Sequence, residues 1–318
     1  MQGIWLEDGV ASLREDLDRP RLESHDDCLV RVSLAGICST DTAMLDGLYP
    51  FTGIMGHEFT GVVEKGPGEL TGRRVAGEIN IACGHCNSCK AGRRKHCEKR
   101  AVAGLRNHHG VFADYVALPA CNLHPVPDAV ADQTAVFTEP LAAALDILEQ
   151  VPISGQTSVL LVGAGRLGQL IARVLATTGC ALSVVVRSPA KAARLEPLAA
   201  RLLSAGEIEP RSFDLAIECT GNEAGLSIAL QALRPGGTLV LKSTYAARPA
   251  VDMSRLVVDE IRIIGSRCGR FDKALALMAA RDLQLQALVD AVYPLAEGLE
   301  ALEKSRQPGV LKVLLKPD

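Results

Sequence analysis

Residues 157–179 read TSVLLVGAGRLGQLIARVLATTG, and the architecture turns on this stretch. The continuous apolar run Val159–Val162 ends in glycines, and a segment with apolar residues at helical spacing follows. Gly163, Gly165 and Gly168 form G-x-G-x-x-G at the join. Alone the pattern is weak; between a buried strand and a helix it reads as a dinucleotide-binding turn. The first glycine makes the tight turn, the second admits a pyrophosphate, and the third lets helix and strand pack closely. The free amides of Arg166 and Leu167 at the helix N-terminus then face the phosphates.

The same alternation continues downstream. ALSVVVRS (181–188), FDLAIECTG (213–221), TLVLKST (238–244) and EIRIIGSRCG (260–269) read as strands, and PAKAARLEPLAARLL (189–203) and EAGLSIALQAL (223–233) as helices. Buried strands alternating with helices predict a doubly wound parallel sheet over residues 141–269, a Rossmann domain in an α/β protein. A third strand belongs between residues 196 and 212, but RLLSAGEIEPRS (201–212) has little apolar run, so that part of the sheet is expected to be trimmed or irregular. The second strand ends at Arg187 and Ser188, with no acid until Glu196. An acid at that point would hold the ribose of NAD, whereas a guanidinium grips a 2′-phosphate bidentately. NADP(H) is therefore favoured over NAD(H), although an Arg can also stack on adenine. Lys191 and Arg194 fall on a helix and read as solvent-facing. Cys219 and Thr220, at a strand C-terminus, border the cofactor; Ser243 and Thr244 are weaker candidates.

Residues before about 134 have a different texture. CLVRVSLAGIC (28–38), FTGVVEKG (59–66) and DYVALP (114–119) are short strands broken by turn residues, as in a barrel or sandwich. TAVFTEPLAAALDILEQV (134–151) predicts a helix from about Pro140. The tail from about residue 270 has two helix-like stretches and closes on GVLKVLLKP (309–317), a strand able to rejoin the first domain. A chain of 318 residues exceeds the usual single core. Its net charge of −3 argues against nucleic acid or an acidic membrane as the main partner. No run of eighteen apolar residues exists, and MQGIWLEDGV lacks a signal peptide's basic and apolar regions, so a cytoplasmic protein is expected.

Ten cysteines in such a chain point to metal or chemistry rather than disulfides. ACGHCNSCKAGRRKHCE (82–98) spaces Cys83, Cys86, Cys89 and Cys97 as C-x2-C-x2-C-x7-C. Four thiolates suit a tetrahedral zinc ion. The bacterial ferredoxin run has its fourth Cys after three residues and then Pro; here the gap is seven and Glu98 follows. A DNA-reading finger would want His ligands and a recognition helix after the last of them. His85 and His96 read as spectators, and Lys90, Arg93, Arg94 and Lys95 as a solvated turn. A second set is dispersed: Cys38 in GICSTD, His57 and Glu58 in GHE, and Glu139 in TEPLAAAL. Singly, each reads as core, turn or helix cap.

GICSTD, GHEFTGVV, the four-cysteine lobe, HGVFADYV, EPLAAAL and GAGRLG occur in one order. Together they resemble the zinc-dependent medium-chain dehydrogenase/reductases of the alcohol, polyol and threonine dehydrogenase kind. TEPLA is most similar to the sorbitol and glucose dehydrogenase branch, while the lobe is also similar to threonine dehydrogenases. The resemblance implies a GroES-like catalytic domain over residues 1–140 and 270–318, with a structural zinc lobe at about 82–98. It implies that Cys38, His57 and Glu139 bind a catalytic zinc, with Glu58 able to approach it. It also implies that Thr40 relays the substrate proton and that Asp41 orients the zinc-bound histidine. The implied activity is hydride transfer between a small-molecule alcohol or carbonyl and a nicotinamide cofactor, in a homo-oligomer, dimer or tetramer. The family often has His five residues after the zinc-ligand Cys; here that residue is Ala43, so proton release runs through another group or water. Tyr49 and Phe51 are candidates for a pocket wall. The competing readings are a zinc-independent quinone or enone reductase of the same superfamily, and a non-catalytic NADPH-sensing or nucleic-acid-binding zinc protein.

Overall fold

A computed structural model describes residues 1–317. Two compact units form, one from Met1–Glu139 with the residues from Phe271 onward, the other from Pro140–Arg270.

In the second unit Ser158–Val162 is the first of six strands in one parallel sheet. Spatial order runs Arg201–Leu203, Ala181–Val185, Ser158–Val162, Phe213–Glu218, Leu233–Leu241 and Arg262–Gly265, the doubly wound order that reverses beside the first strand. Leu160, Val162, Ala216 and Leu239 are buried in its core, packed with Leu226 and Ala229 of the helix Glu223–Ala232.

The third strand exists where the sequence left it in doubt. Arg201–Leu203 pairs parallel with Ser183–Val185, and of its three residues only Leu203 is buried. An edge strand this short needs no apolar run. The helix expected over 189–203 stops correspondingly early, spanning Pro189–Ala193. Pro197, which has no amide to donate, sits in a 3₁₀ turn, and Ala199 takes a left-handed φ of 53°, which breaks the helix and aims the chain into the sheet.

The first unit is built on a largely antiparallel sheet. Asp27–Gly36 is its hub, pairing with Glu58–Lys65, Tyr115–Pro119 and the C-terminal strand Lys312–Lys316. The last also pairs parallel with Val289–Pro294, so the tail does rejoin the first unit's sheet. Ile4, Val30, Val32, Phe59, Phe112 and Leu315 fill the core. Asn80–Ile81 and Ala101–Val102 pair antiparallel and bracket the four-cysteine lobe. The helix expected from Pro140 starts two residues earlier, at Thr138, which puts Glu139 in its first turn with Pro140 where a missing amide costs nothing.

Candidate active site and metal centres

Cys38 and His57 meet because of strand register. Ala35 pairs with Phe59 and Gly36 with Glu58, so Cys38, two residues past one strand, arrives beside His57 at the start of the other. Cys38 is also the N-cap of the helix Ser39–Leu45. Its backbone amide donates to Asp41 Oδ2 at 2.8 Å, and its Sγ accepts from the Thr40 amide at 3.5 Å, a reciprocal capping box written by the spacing C-x-x-D. The Thr40 hydroxyl lies 3.6 Å from Cys38 Sγ.

Asp41 is fully buried and uses its second oxygen elsewhere: Oδ1 faces His57 Nδ1 at 3.3 Å. Neither atom has another hydrogen-bond partner. Burial opposes the imidazolium, but the Asp41 carboxylate and then Cys38 outweigh it, and His57 is held well above its ordinary pKa. With Nδ1 committed to Asp41, Nε2 is the ring nitrogen left for a cation. A sulfur, an imidazole nitrogen and a carboxylate oxygen from Cys38, His57 and Glu58 lie within 4.8 Å of one another. That donor set, with an electrostatic field that already favours positive charge on His57, fits a zinc ion. Glu139 stands outside this group.

Glu58 is buried and forms an ion pair with Lys312, itself buried, on the C-terminal strand. The sequence reading missed Lys312; its only signal was one cation inside the apolar run GVLKVLL.

The four sulfurs of Cys83, Cys86, Cys89 and Cys97 form the second such group, again within 4.8 Å of one another. The Cys86 and Cys89 sulfurs are 3.5 Å apart, and the Cys83 amide donates to Cys97 Sγ at 3.3 Å. Backbone amides of Glu98 and Cys89 pull Cys86 down to about 6, while desolvation and the neighbouring sulfurs push Cys89 up to about 12. Four crowded thiols cannot all ionise without a cation, so this set also fits zinc, with every coordination position taken by sulfur. All ten cysteines are free of disulfides. His85 Nδ1 donates to the Cys83 carbonyl at 2.7 Å and His85 is not in the sulfur group. Lys90 and Arg93 are exposed, but Arg94 turns inward to Asn122 Oδ1 at 3.3 Å.

In the second unit the three glycines meet separate demands. Gly163 has φ +113°, and a Cβ there would stand 3.0 Å from Thr220. At Gly168 a Cβ would collide with the Gly163 carbonyl, while at Gly165 it would meet nothing, which leaves room for a ligand. The helix Arg166–Ala176 begins with Gly165 as its cap, so the amides of Arg166 and Leu167 are at its open end. A cavity of about 550 Å³ is lined by Gly163, Gly165, Arg187, Ser188, Lys191, Cys219 and Thr220, with no acid on its wall. Ser243 and Thr244 are not on that wall. Desolvation and the nearby Glu218 push the Cys219 thiol up to about 12, so it stands on that wall as a neutral thiol. Glu218 was also missed: fully buried, it accepts from the Thr220 amide and hydroxyl, the Gly221 amide and the Tyr245 hydroxyl, and so fixes the turn after its strand.

Phe51 lines a separate cavity of about 630 Å³ in the first unit, with Arg106, His108 and His109. Tyr49 is 39% exposed and not on its wall.

Two family models match the chain: the alcohol dehydrogenase GroES-like domain over residues 24–128 and the zinc-binding dehydrogenase domain over residues 167–280. The chain belongs to the zinc-dependent medium-chain dehydrogenase/reductases, enzymes that move hydride between an alcohol or carbonyl carbon and a nicotinamide cofactor. It is 28% identical to D-arabinitol dehydrogenase 1 of Uromyces fabae, over 93% of this chain and 92% of that protein. It is 29% identical to L-threonine 3-dehydrogenase of Anaeromyxobacter sp. strain K, over 83% and 80%. Alcohol dehydrogenase TADH from Thermus sp. ATN1 superposes with a TM-score of 0.92 at 29% identity, covering all of both chains. No helix among the described residues is long and apolar enough to cross a membrane.

Proposed function

We propose that this enzyme is an NADP(H)-preferring dehydrogenase of polyols or related secondary alcohols, with its chemistry at Cys38 and His57. The observation that carries the reading is the clustering of Cys38, His57 and Glu58, with the Thr40 hydroxyl on the thiol and Asp41 behind the imidazole. Cys38 and His57 hold a catalytic zinc with one carboxylate. We assign that carboxylate to Glu58, which supplies an oxygen within 4.8 Å of the Cys38 and His57 donors, while Glu139, in the first turn of its helix, stands outside that group. Bound there, zinc supplies Lewis acidity toward the substrate oxygen. Asp41 fixes the orientation and tautomer of His57. The Thr40 hydroxyl takes the proton of the substrate hydroxyl while passing its own to water, and the relay runs backwards in the reverse direction. Ala43, on the same helix, offers no onward acceptor. Cys83, Cys86, Cys89 and Cys97 hold a second, structural zinc.

The turn from Gly163 to Gly168 binds the pyrophosphate. Arg187, with Ser188 and Lys191 on an acid-free wall, takes the 2′-phosphate of NADP(H). We further propose a homo-oligomer. The strand Arg262–Gly265 is a sheet edge with Ile263 43% exposed, and Met253, Val257 and Val258 nearby in sequence are 66–79% exposed. Free thiols throughout are consistent with a cytoplasmic protein.

The test is nicotinamide absorbance against polyols, sugars, amino alcohols and simple alcohols, with NAD and NADP in parallel. Turnover of a polyol with NADP supports the assignment. Preference for NAD removes the role given to Arg187, and activity only on enones removes the alcohol reading.

A further inference from the structure

The helix Arg166–Ala176, which follows the glycine turn, carries two polar side chains on its buried face, one helical turn apart: Gln169, 0% exposed, and Arg173, 2% exposed. Neither lines the cofactor cavity. The Arg173 guanidinium donates through Nη1 to the Gln169 carbonyl at 3.1 Å and to Gln169 Oε1 at 3.0 Å, and through Nη2 to the Arg194 carbonyl at 3.1 Å. With Oε1 turned to the guanidinium, the other end of the Gln169 amide faces carbonyls. Nε2 donates to the Lys191 carbonyl at 2.9 Å and to the Ala164 carbonyl at 3.4 Å.

Ala164 and Lys191 both stand on the wall of the cofactor cavity, Ala164 inside the glycine turn and Lys191 on the short helix Pro189–Ala193 that follows Arg187 and Ser188. One side-chain amide therefore ties the two sides of that wall together, and Arg173 locks the amide. The short helix needs such outside support. Its five residues are too few to hold a helix by themselves, and its N-cap Ser188 makes no side-chain cap bond. The Lys191 and Arg194 carbonyls lie at its C-terminal end, where intrahelical amides run out. Burial and the like charge of Arg194 pull Arg173 down to about 10, so the guanidinium is still charged at neutral pH. For stability alone, a well-packed apolar side chain of similar volume would serve as well as a buried cation. The location explains this one.

Given that Arg187 takes the 2′-phosphate, as proposed, we infer that Gln169 and Arg173 are positioning residues that set the spacing between the pyrophosphate turn and the Arg187–Lys191 wall, and so determine selectivity for the phosphorylated cofactor. Without the guanidinium, the Arg194 carbonyl and Gln169 Oε1 lose a buried donor and the Gln169 amide is free to turn. The short helix then relaxes away from the glycine turn and takes Lys191 and Arg187 with it. A 2′-phosphate gripped by charge-assisted bonds of fixed geometry loses more by this than the groups held by the glycine turn.

The experiment measures, by calorimetry on the full chain, the Kd of AMP and of adenosine 2′,5′-bisphosphate; their ratio isolates the 2′-phosphate. Wild type, Arg173→Met, Gln169→Leu, Arg187→Ala and the double variant Arg173→Met with Arg187→Ala are compared. Arg173→Met is expected to lower the preference for the bisphosphate about tenfold, and Gln169→Leu to lower it in the same direction. In the Arg187→Ala background Arg173→Met should have much less effect, because its influence passes through that guanidinium. A further drop of about tenfold there overturns the inference. A merely structural role would lower the unfolding temperature and leave the preference unchanged, which also overturns it. If Arg173→Met does not fold, Gln169→Leu decides: a lowered preference supports the inference and an unchanged one overturns it. Wild type with no preference for the bisphosphate would remove the reading of Arg187 and this inference with it. A preference that Arg187→Ala abolishes and Arg173→Met spares would remove this inference alone.

Discussion

The two sulfur-containing sites differ in how their donors are gathered. The lobe collects four thiols from residues 83–97, so local spacing alone brings them together. The other site takes Cys38 from a helix cap, His57 and Glu58 from a strand start, and Lys312 from the C-terminal strand. The local site is closed by four sulfurs and suits a structural ion. The dispersed site has few donors, each constrained by a residue behind it, and suits an ion that must exchange substrate. Open coordination needs support from outside the ligand set: Asp41 does this for His57, and the capping box does it for Cys38.

The largest effect expected from breaking one side of this comparison is on turnover. Cys38→Ala should lower kcat by about a thousandfold or more, the several kcal/mol that a Lewis acid supplies, and remove one zinc per chain. Its unfolding temperature should stay near wild type. Cys97→Ala should also lose one zinc, but its main effect should be a lower unfolding temperature. Metal analysis, steady-state kinetics and thermal unfolding on both variants measure the contrast; equal stability losses would abolish it.

Thr40→Val should cost about a hundredfold in kcat with zinc content unchanged, because it removes a proton acceptor rather than a ligand. Asp41→Asn should weaken zinc binding at the dispersed site by about 10–100-fold, read by chelator competition, and leave the lobe's zinc untouched. Arg187→Ala should raise the KM for NADP by about tenfold, the worth of one hydrogen bond to a charged group, with the KM for NAD little changed. A parallel rise for both cofactors would mean that Arg187 only packs against the adenine.

The lobe offers a smaller effect that depends on pH. In metal-free protein Cys86, lowered to about 6, is a thiolate at neutral pH, whereas Cys89, raised to about 12, stays protonated. Alkylation of Cys86 by iodoacetamide should therefore be fast at pH 7 and slow as the pH falls through about 6; Cys89 should lag throughout. Peptide mass spectrometry after timed quenching distinguishes the two, and equal rates at pH 7 would remove the asymmetry.

What was legible in the sequence was what short-range spacing encodes. GAGRLG after VLLV placed the strand–turn–helix of the second unit, because glycine alone fits φ +113° at Gly163 and the close approach at Gly168. C-x2-C-x2-C-x7-C placed the lobe. CSTD placed Asp41 behind the Cys38 turn, because a capping box is a four-residue device. The short third strand was hard to read because an edge strand buries one residue, not an alternating set. Arg94 read as solvated because nothing within its run announces Asn122.

The sequence by itself determined the glycine turn after its strand, the four-cysteine cluster and the pairing of Cys38 with His57. Only the tertiary structure decided which carboxylate stands with Cys38 and His57. Glu58 joins them because the register Gly36↔Glu58 puts it there and Gly36 leaves it room; Glu139, which the sequence pattern nominated, stands outside that group. Only the tertiary structure supplied Lys312, since a strand at the far end of the chain closes beside Gly36. Long-range β pairing is set by the packing of whole sheets, and no local pattern records which distant residue a buried charge will meet.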